Sequence, residues 1–88
     1  MRNFLNELML QVGYKEVHTM SADHIVYGMK LDEDLYREIE FSLFTGKVRV
    51  YIGKKTYDKT VLTEKELKTV NVIKDLLILS GGRIDPIE

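Results

Sequence analysis

The sequence predicts an α+β domain of two layers, with two helices on one face of a four-stranded antiparallel sheet in the order α-β-β-β-β-α. Three observations carry that prediction. Apolar residues recur at helical spacing near both ends of the chain, and between residues 25 and 52 the period changes to two. A Thr45-Gly46 turn separates two strictly alternating segments. Two apolar helical stripes and one apolar sheet face can all be buried if both helices lie on the same side of the sheet.

The first helix is marked by Phe4, Leu5, Leu8, Met9 and Val12, and Gly13 is placed to end it with Tyr14 packing back on Met9. An early hairpin of Lys15–Ser21 with Ile25–Leu31 follows. Ile25, Tyr27, Met29 and Leu31 alternate cleanly, but Val17-His18-Thr19-Met20 fits several registers around Ala22-Asp23. In the next hairpin Ile39, Phe41 and Leu43 alternate with Glu38, Glu40 and Ser42, and Val48, Val50 and Ile52 with Lys47, Arg49 and Tyr51. A two-residue turn at Thr45-Gly46 pairs Leu43 with Val48, Phe41 with Val50 and Ile39 with Ile52. It also sets Ser42 opposite Arg49 and Glu40 opposite Tyr51. The final helix opens with a capping box, Thr63-Glu64-Lys65-Glu66, with Leu62 and Leu67 at the staple positions. Val70, Ile73 and Leu77 continue its stripe and Gly81-Gly82 ends it, giving an expected span of 64–80.

Eighty-eight residues make one domain, 1–88, with 81–88 as a C-terminal tail containing the only proline, Pro86. The net charge of −1 provides no global field for nucleic acid or an acidic membrane, so such binding requires a local patch. With no cysteine, disulfides, thiolate chemistry, zinc ribbons and iron–sulfur sites are excluded. Asn6, Glu7 and Gln11 interrupt the unbroken apolar stretch of a signal peptide. The longest apolar run, Leu76 to Leu79, is far short of the ~20 residues that span a bilayer. The expectation is a soluble, cytoplasmic protein with no membrane partner.

Chemical motifs fail on spacing. His18 and His24 match no helical metal motif, and Ser21-Ala22-Asp23-His24 gathers triad residue types within one turn, whereas a triad draws on separate elements. Asp32-Glu33-Asp34 lacks the third acid and the glycine of a calcium loop, because Tyr36 and Arg37 stand there. Gly53-Lys54-Lys55-Thr56 fails as a phosphate loop, since Val48 and Lys55 occupy the positions of its first glycine and its hydroxyl residue. No catalytic residue, cofactor site or metal site is assigned.

Two surfaces remain. Between Gly46 and Thr60, Lys47, Arg49, Lys54, Lys55 and Lys59 face one acid, Asp58, with Tyr51 and Tyr57 interleaved. Arg49, Tyr51, Lys54 and Lys55 are therefore the candidate nucleic-acid contacts, by phosphate pairing and base stacking. Glu38 and Glu40 on the neighbouring strand oppose them, which favours a mixed-charge solvated face. On the last helix Val72, Leu76 and Leu79 point away from the main stripe, so either the N-terminal helix covers that flank or a protein partner does.

The opening Phe4-Leu5-Asn6-Glu7-Leu8 helix, the strands and the closing helix resemble the layout of the double-stranded-RNA-binding domain. The resemblance ends there. The chain has an additional strand, and Thr63-Glu64-Lys65-Glu66 stands where that family clusters phosphate-gripping lysines. The leading expectation is a small non-catalytic binding or regulatory module working through protein–protein contacts, as a homodimer or with another protein. An accessory or inhibitor protein of a phage or mobile element is one form of it. The alternatives are a nucleic-acid-binding module using the basic hairpin, and a small ligand-binding domain or enzyme whose site is completed across a dimer interface.

Overall fold

The structure, a computed structural model, describes residues 1–17 and 21–84. His18, Thr19 and Met20 of the expected first hairpin, and residues 85–88 of the tail, lie outside the described residues. Helix α1 spans Arg2–Leu10 and helix α2 spans Glu64–Ser80. Between them run β1 (Lys15–Val17), β2 (His24–Asp32), β3 (Leu35–Ser42), β4 (Val48–Ile52) and β5 (Lys55–Tyr57), then a 3-10 turn at Lys59–Val61. The strands form one antiparallel sheet in the order β1-β2-β3-β4-β5.

The sheet therefore has five strands where four were expected. Gly53-Lys54 closes a tight turn after Ile52, and Lys55-Thr56-Tyr57 returns along β4. Lys55 and Tyr57 share the helix side of this strand, but only Tyr57, opposite Val50, packs on the core, so no apolar alternation marks it in the sequence.

Both helices pack on one sheet face. Leu5 and Met9 of α1 and Val70, Ile73 and Leu77 of α2 join Ile25, Tyr27, Ile39, Phe41 and Val50 in a single buried cluster. Tyr27 and Phe41 meet edge to face at its centre, with ring centroids 6.0 Å apart. The α2 boundaries match the expected 64–80, with both capping-box bonds formed. Both helices end in the same six-to-one pattern: the Tyr14 amide donates to the Met9 carbonyl at 2.9 Å, and the Gly82 amide to that of Leu77 at 3.0 Å.

The β3–β4 hairpin differs from expectation by two residues. Ile39 pairs with Val50, Glu40 with Arg49 and Phe41 with Val48. The Ser42 amide donates to the Lys47 carbonyl at 2.9 Å, and the Gly46 amide returns to the Ser42 carbonyl at 2.8 Å, so the loop has four residues, Leu43 to Gly46. A shift of two preserves the phase, and the expected apolar face stays inward. The longer loop is set by packing. The Leu43 amide leaves β4 to donate to the Asp23 carbonyl at 2.8 Å, and its side chain is buried. Gly46 lies so close to α2 that a Cβ there would stand 3.1 Å from Lys74 Cγ and 3.2 Å from Ile78 Cγ1. Gly82 seals the other side of the loop: it has φ +81°, and a Cβ there would be 2.8 Å from the Leu43 carbonyl oxygen.

Candidate functional site

Of the three residues expected at a protein interface, two are open and one is not. Val72 is 48% exposed and Leu79 83%, while Leu76 is half-buried and packs against the core cluster. Leu76 thus serves the layer beneath. On α1, Leu5 and Met9 are core and Leu10 is exposed. Val72 and Leu79 stand seven residues apart, two helical turns, on the outward line of α2. Lys68 and Asp75, both exposed, complete that line at the i, i+4, i+7, i+11 positions.

The basic hairpin is not gathered onto one surface. Arg49 and Tyr51 lie on the sheet face away from the helices, Lys54 sits in the β4–β5 turn, and Lys55 pairs with Ile52, on the helix side of the sheet edge. Arg49 stands directly opposite Glu40, which also accepts a hydrogen bond from the Tyr51 hydroxyl at 3.2 Å. Tyr51 is half-buried and tied to an acid on its own sheet, not a free stacking platform. A shallow hollow of about 150 Å³ on this face is lined by His24, Glu40, Ser42, Thr45, Lys47 and Arg49. His24 Nδ1 lies 3.0 Å from Ser21 Oγ, within the turn that holds both. Asp32-Glu33-Asp34 forms an exposed β2–β3 connection, and no group of metal-ligating side chains comes together among the described residues. No helix among them is long and apolar enough to cross a membrane.

The sequence reasoning missed a polar cluster at the junction of α1, the sheet and α2. Glu66 is the only buried charged residue among those described. Its Oε1 accepts from the Thr63 amide at 2.9 Å, and its Oε2 from the Tyr14 hydroxyl at 2.6 Å. Arg37 Nη1 stands 3.5 Å from both carboxylate oxygens. Burial works against the Glu66 charge, but the Tyr14 hydroxyl, the Thr63 donors and Arg37 outweigh it and hold the carboxyl below its ordinary range. Burial above all, then the bond to Glu66, pushes the Tyr14 phenol well up. The Tyr14 hydroxyl, with the Glu66 charge, raises Arg37 against the opposing effect of burial. The signal was present: Arg37 is in phase with Ile39 and Phe41, and Glu66 is in phase with Val70 and Ile73. Opposite charges in phase with two core stripes point to a pair across the layers.

A cleft of about 340 Å³ opens beside this cluster, lined by Gln11, Val12, Met29, Arg37 and Lys65 together with the Thr63–Glu66 cap. A second polar tie, between α1 and β1, joins Arg2 to Glu16, while the Tyr27 hydroxyl donates to Asn6 at 2.7 Å. No protein-family model, curated protein or solved structure matches this chain. What the fold and its surfaces define is a small α+β domain with an open outward helix face and a polar cleft at one end.

Proposed function

We propose that the chain is a non-catalytic binding module acting through protein–protein contacts, and that the occupant of its outward helix face is a second copy of itself. The observation that supports this is the exposed line Lys68, Val72, Asp75 and Leu79. It is self-complementary. An antiparallel two-fold contact centred between Lys68 and Asp75 sets each lysine against the aspartate of the other copy. It also brings the two Val72 side chains together at the middle. Each Leu79 then lies over the first turn of the other α2. Because the line is short, the dimer is expected to be of roughly micromolar or weaker affinity.

Sedimentation and light scattering across a concentration series test this. The wild type should pass from monomer to dimer, and Leu79→Glu should remain monomeric with an unchanged circular dichroism spectrum. Leu79 suits the experiment better than Leu76, because a charge at Leu76 would also disturb the core beneath it. A wild type that stays monomeric at millimolar concentration would exclude the self-association.

A further inference from the structure

We propose that the cleft beside Arg37 binds a small organic monocarboxylate with an apolar body, at a site separate from the outward face of α2. Arg37 carries five donors in a planar fork, and its nearest carboxylate is already engaged. Both Glu66 oxygens take short bonds from other groups, the Tyr14 hydroxyl at 2.6 Å and the Thr63 amide at 2.9 Å. What Glu66 offers Arg37 is a pair of 3.5 Å contacts from Nη1, long against the ~2.7–2.9 Å of a good guanidinium–carboxylate bond. Arg37 Nε is sealed from solvent and has no hydrogen-bond partner among the described residues. An arginine sited solely to neutralise Glu66 would close on it with both prongs. Arg37 also hydrogen-bonds the Tyr14 hydroxyl, yet its Nε is left without a partner among the described residues at the wall of an open cleft.

The remaining lining completes a recognition chemistry. Lys65 adds a second cation, so two positive side chains face one carboxylate and the cleft retains a net charge of +1. Gln11 contributes an amide that can donate to an oxygen, and Val12 and Met29 provide an apolar wall. A volume of about 340 Å³ falls at the lower end of the range typical of small-molecule sites. The carboxylate sits between Arg37 and Lys65, drawing the guanidinium a short way off Glu66, while the hydrocarbon part lies on Val12 and Met29. Glu66 tolerates this because its charge is already met by Tyr14 and Thr63. An inorganic oxyanion would leave the apolar wall uncovered, so it should bind more weakly.

The test is NMR titration of the wild type with octanoate and benzoate, against octanamide, benzamide and inorganic phosphate as controls. The Arg37 Nε–H resonance serves as a reporter of guanidinium movement, alongside the amides of Gln11 and Lys65. The acids should shift these signals saturably, and the neutral amides should bind about tenfold more weakly or worse, as expected when a charge-assisted contact is lost. Arg37→Gln should abolish binding. Because it also touches the α1–α2 junction, Lys65→Glu is the companion variant: it changes an exposed side chain and should weaken the acids about tenfold with the fold intact. Absence of saturable shifts at millimolar acid, equal binding of acid and amide, or equal binding of phosphate would each overturn the proposal.

Discussion

The two ends of α2 solve the same problem in opposite ways. At the N-terminus polar groups do the fixing: Thr63 and Glu66 cap each other, and Glu66 reaches across to Tyr14 and Arg37. At the C-terminus backbone geometry does it, through the two left-handed glycines Gly81 and Gly82 and the close approach of Gly46. The outcome differs at the surface. The polar end keeps its charges inside and leaves a cleft, while the glycine end leaves apolar side chains in solvent, with Ile78 52% and Leu79 83% exposed. A buried polar cluster fixes one arrangement because each member needs the others. Close-packed glycines fix position without using side chains, which leaves the outward residues free for another task.

The largest effects should come from the core shared by both ends. Phe41→Ala removes a fully buried ring in contact with Tyr27 and should cost about 3–5 kcal/mol in urea denaturation. Ser42→Ala, one residue along on the open face, should stay within about 0.5 kcal/mol. Similar midpoints for the two variants would contradict the burial phase of β3. Next comes the polar end. Glu66→Ala strips the capping box of its return bond and leaves Arg37 without its carboxylate, at a cost of about 2–4 kcal/mol, moderated because Arg37 is 22% exposed. At the glycine end, Leu79→Ala should barely change folding stability. A Glu66→Ala loss as small as that of Leu79→Ala would remove the distinction between the two ends.

The polar end also predicts a pH profile. Glu66 is held below the ordinary carboxylate range, as is Glu16, chiefly through its hydrogen bond from Arg2 and against the effect of burial. Depressed acids contribute stability that is fully present above the unfolded-state values near pH 4–5 and is lost as pH falls through the folded ones. Tyr14 and Tyr27 are both raised, first by burial, so their contribution is complete below about pH 10 and is lost as pH rises beyond it. Stability should therefore be flat between these limits and fall on both sides. Glu66→Gln should lower the plateau and shallow the acid limb, and an acid limb identical to the wild type would mean that Glu66 does not titrate with folding.

How much of this was legible in the sequence follows from the range of the forces involved. The α2 span was readable to the residue because Thr63, Glu66 and Gly81-Gly82 act within a turn or two of where they stand. The inward phase of β3 and β4 was readable because alternation sets it, whatever the register. The register itself was not. Thr45-Gly46 serves equally as a two-residue turn or as the end of a four-residue loop, and the choice is made by Lys74 and Ile78, some thirty residues away. Strand β5 escaped because, of its three residues, only Tyr57 packs on the core, the other inward position being the exposed Lys55. On the outward face, exposure divided a group that the sequence left whole: Leu76 belongs to the core margin and Val72 and Leu79 to solvent.

The smallest expected effect is the most specific to the outward line. In the antiparallel contact each Lys68 meets Asp75 of the other copy, and two-fold symmetry makes the pair twice. Exposed pairs are worth about 0.2–1 kcal/mol each, so Lys68→Glu should weaken association by roughly two- to thirtyfold, with lysine's bond to Glu64 at 3.7 Å also lost. Lys68 and Asp75 are both exposed, so neither change should move the folding midpoint by more than about 0.5 kcal/mol. Combining Lys68→Glu with Asp75→Lys restores opposite charges across the contact, and the double variant should regain most of the wild-type affinity. A parallel arrangement of the two helices places Lys68 beside Lys68 and Asp75 beside Asp75, so the exchange would exchange one repulsion for another and leave affinity low in every variant. Sedimentation equilibrium on the four proteins at low salt separates the cases, since rescue by the exchange requires the antiparallel geometry.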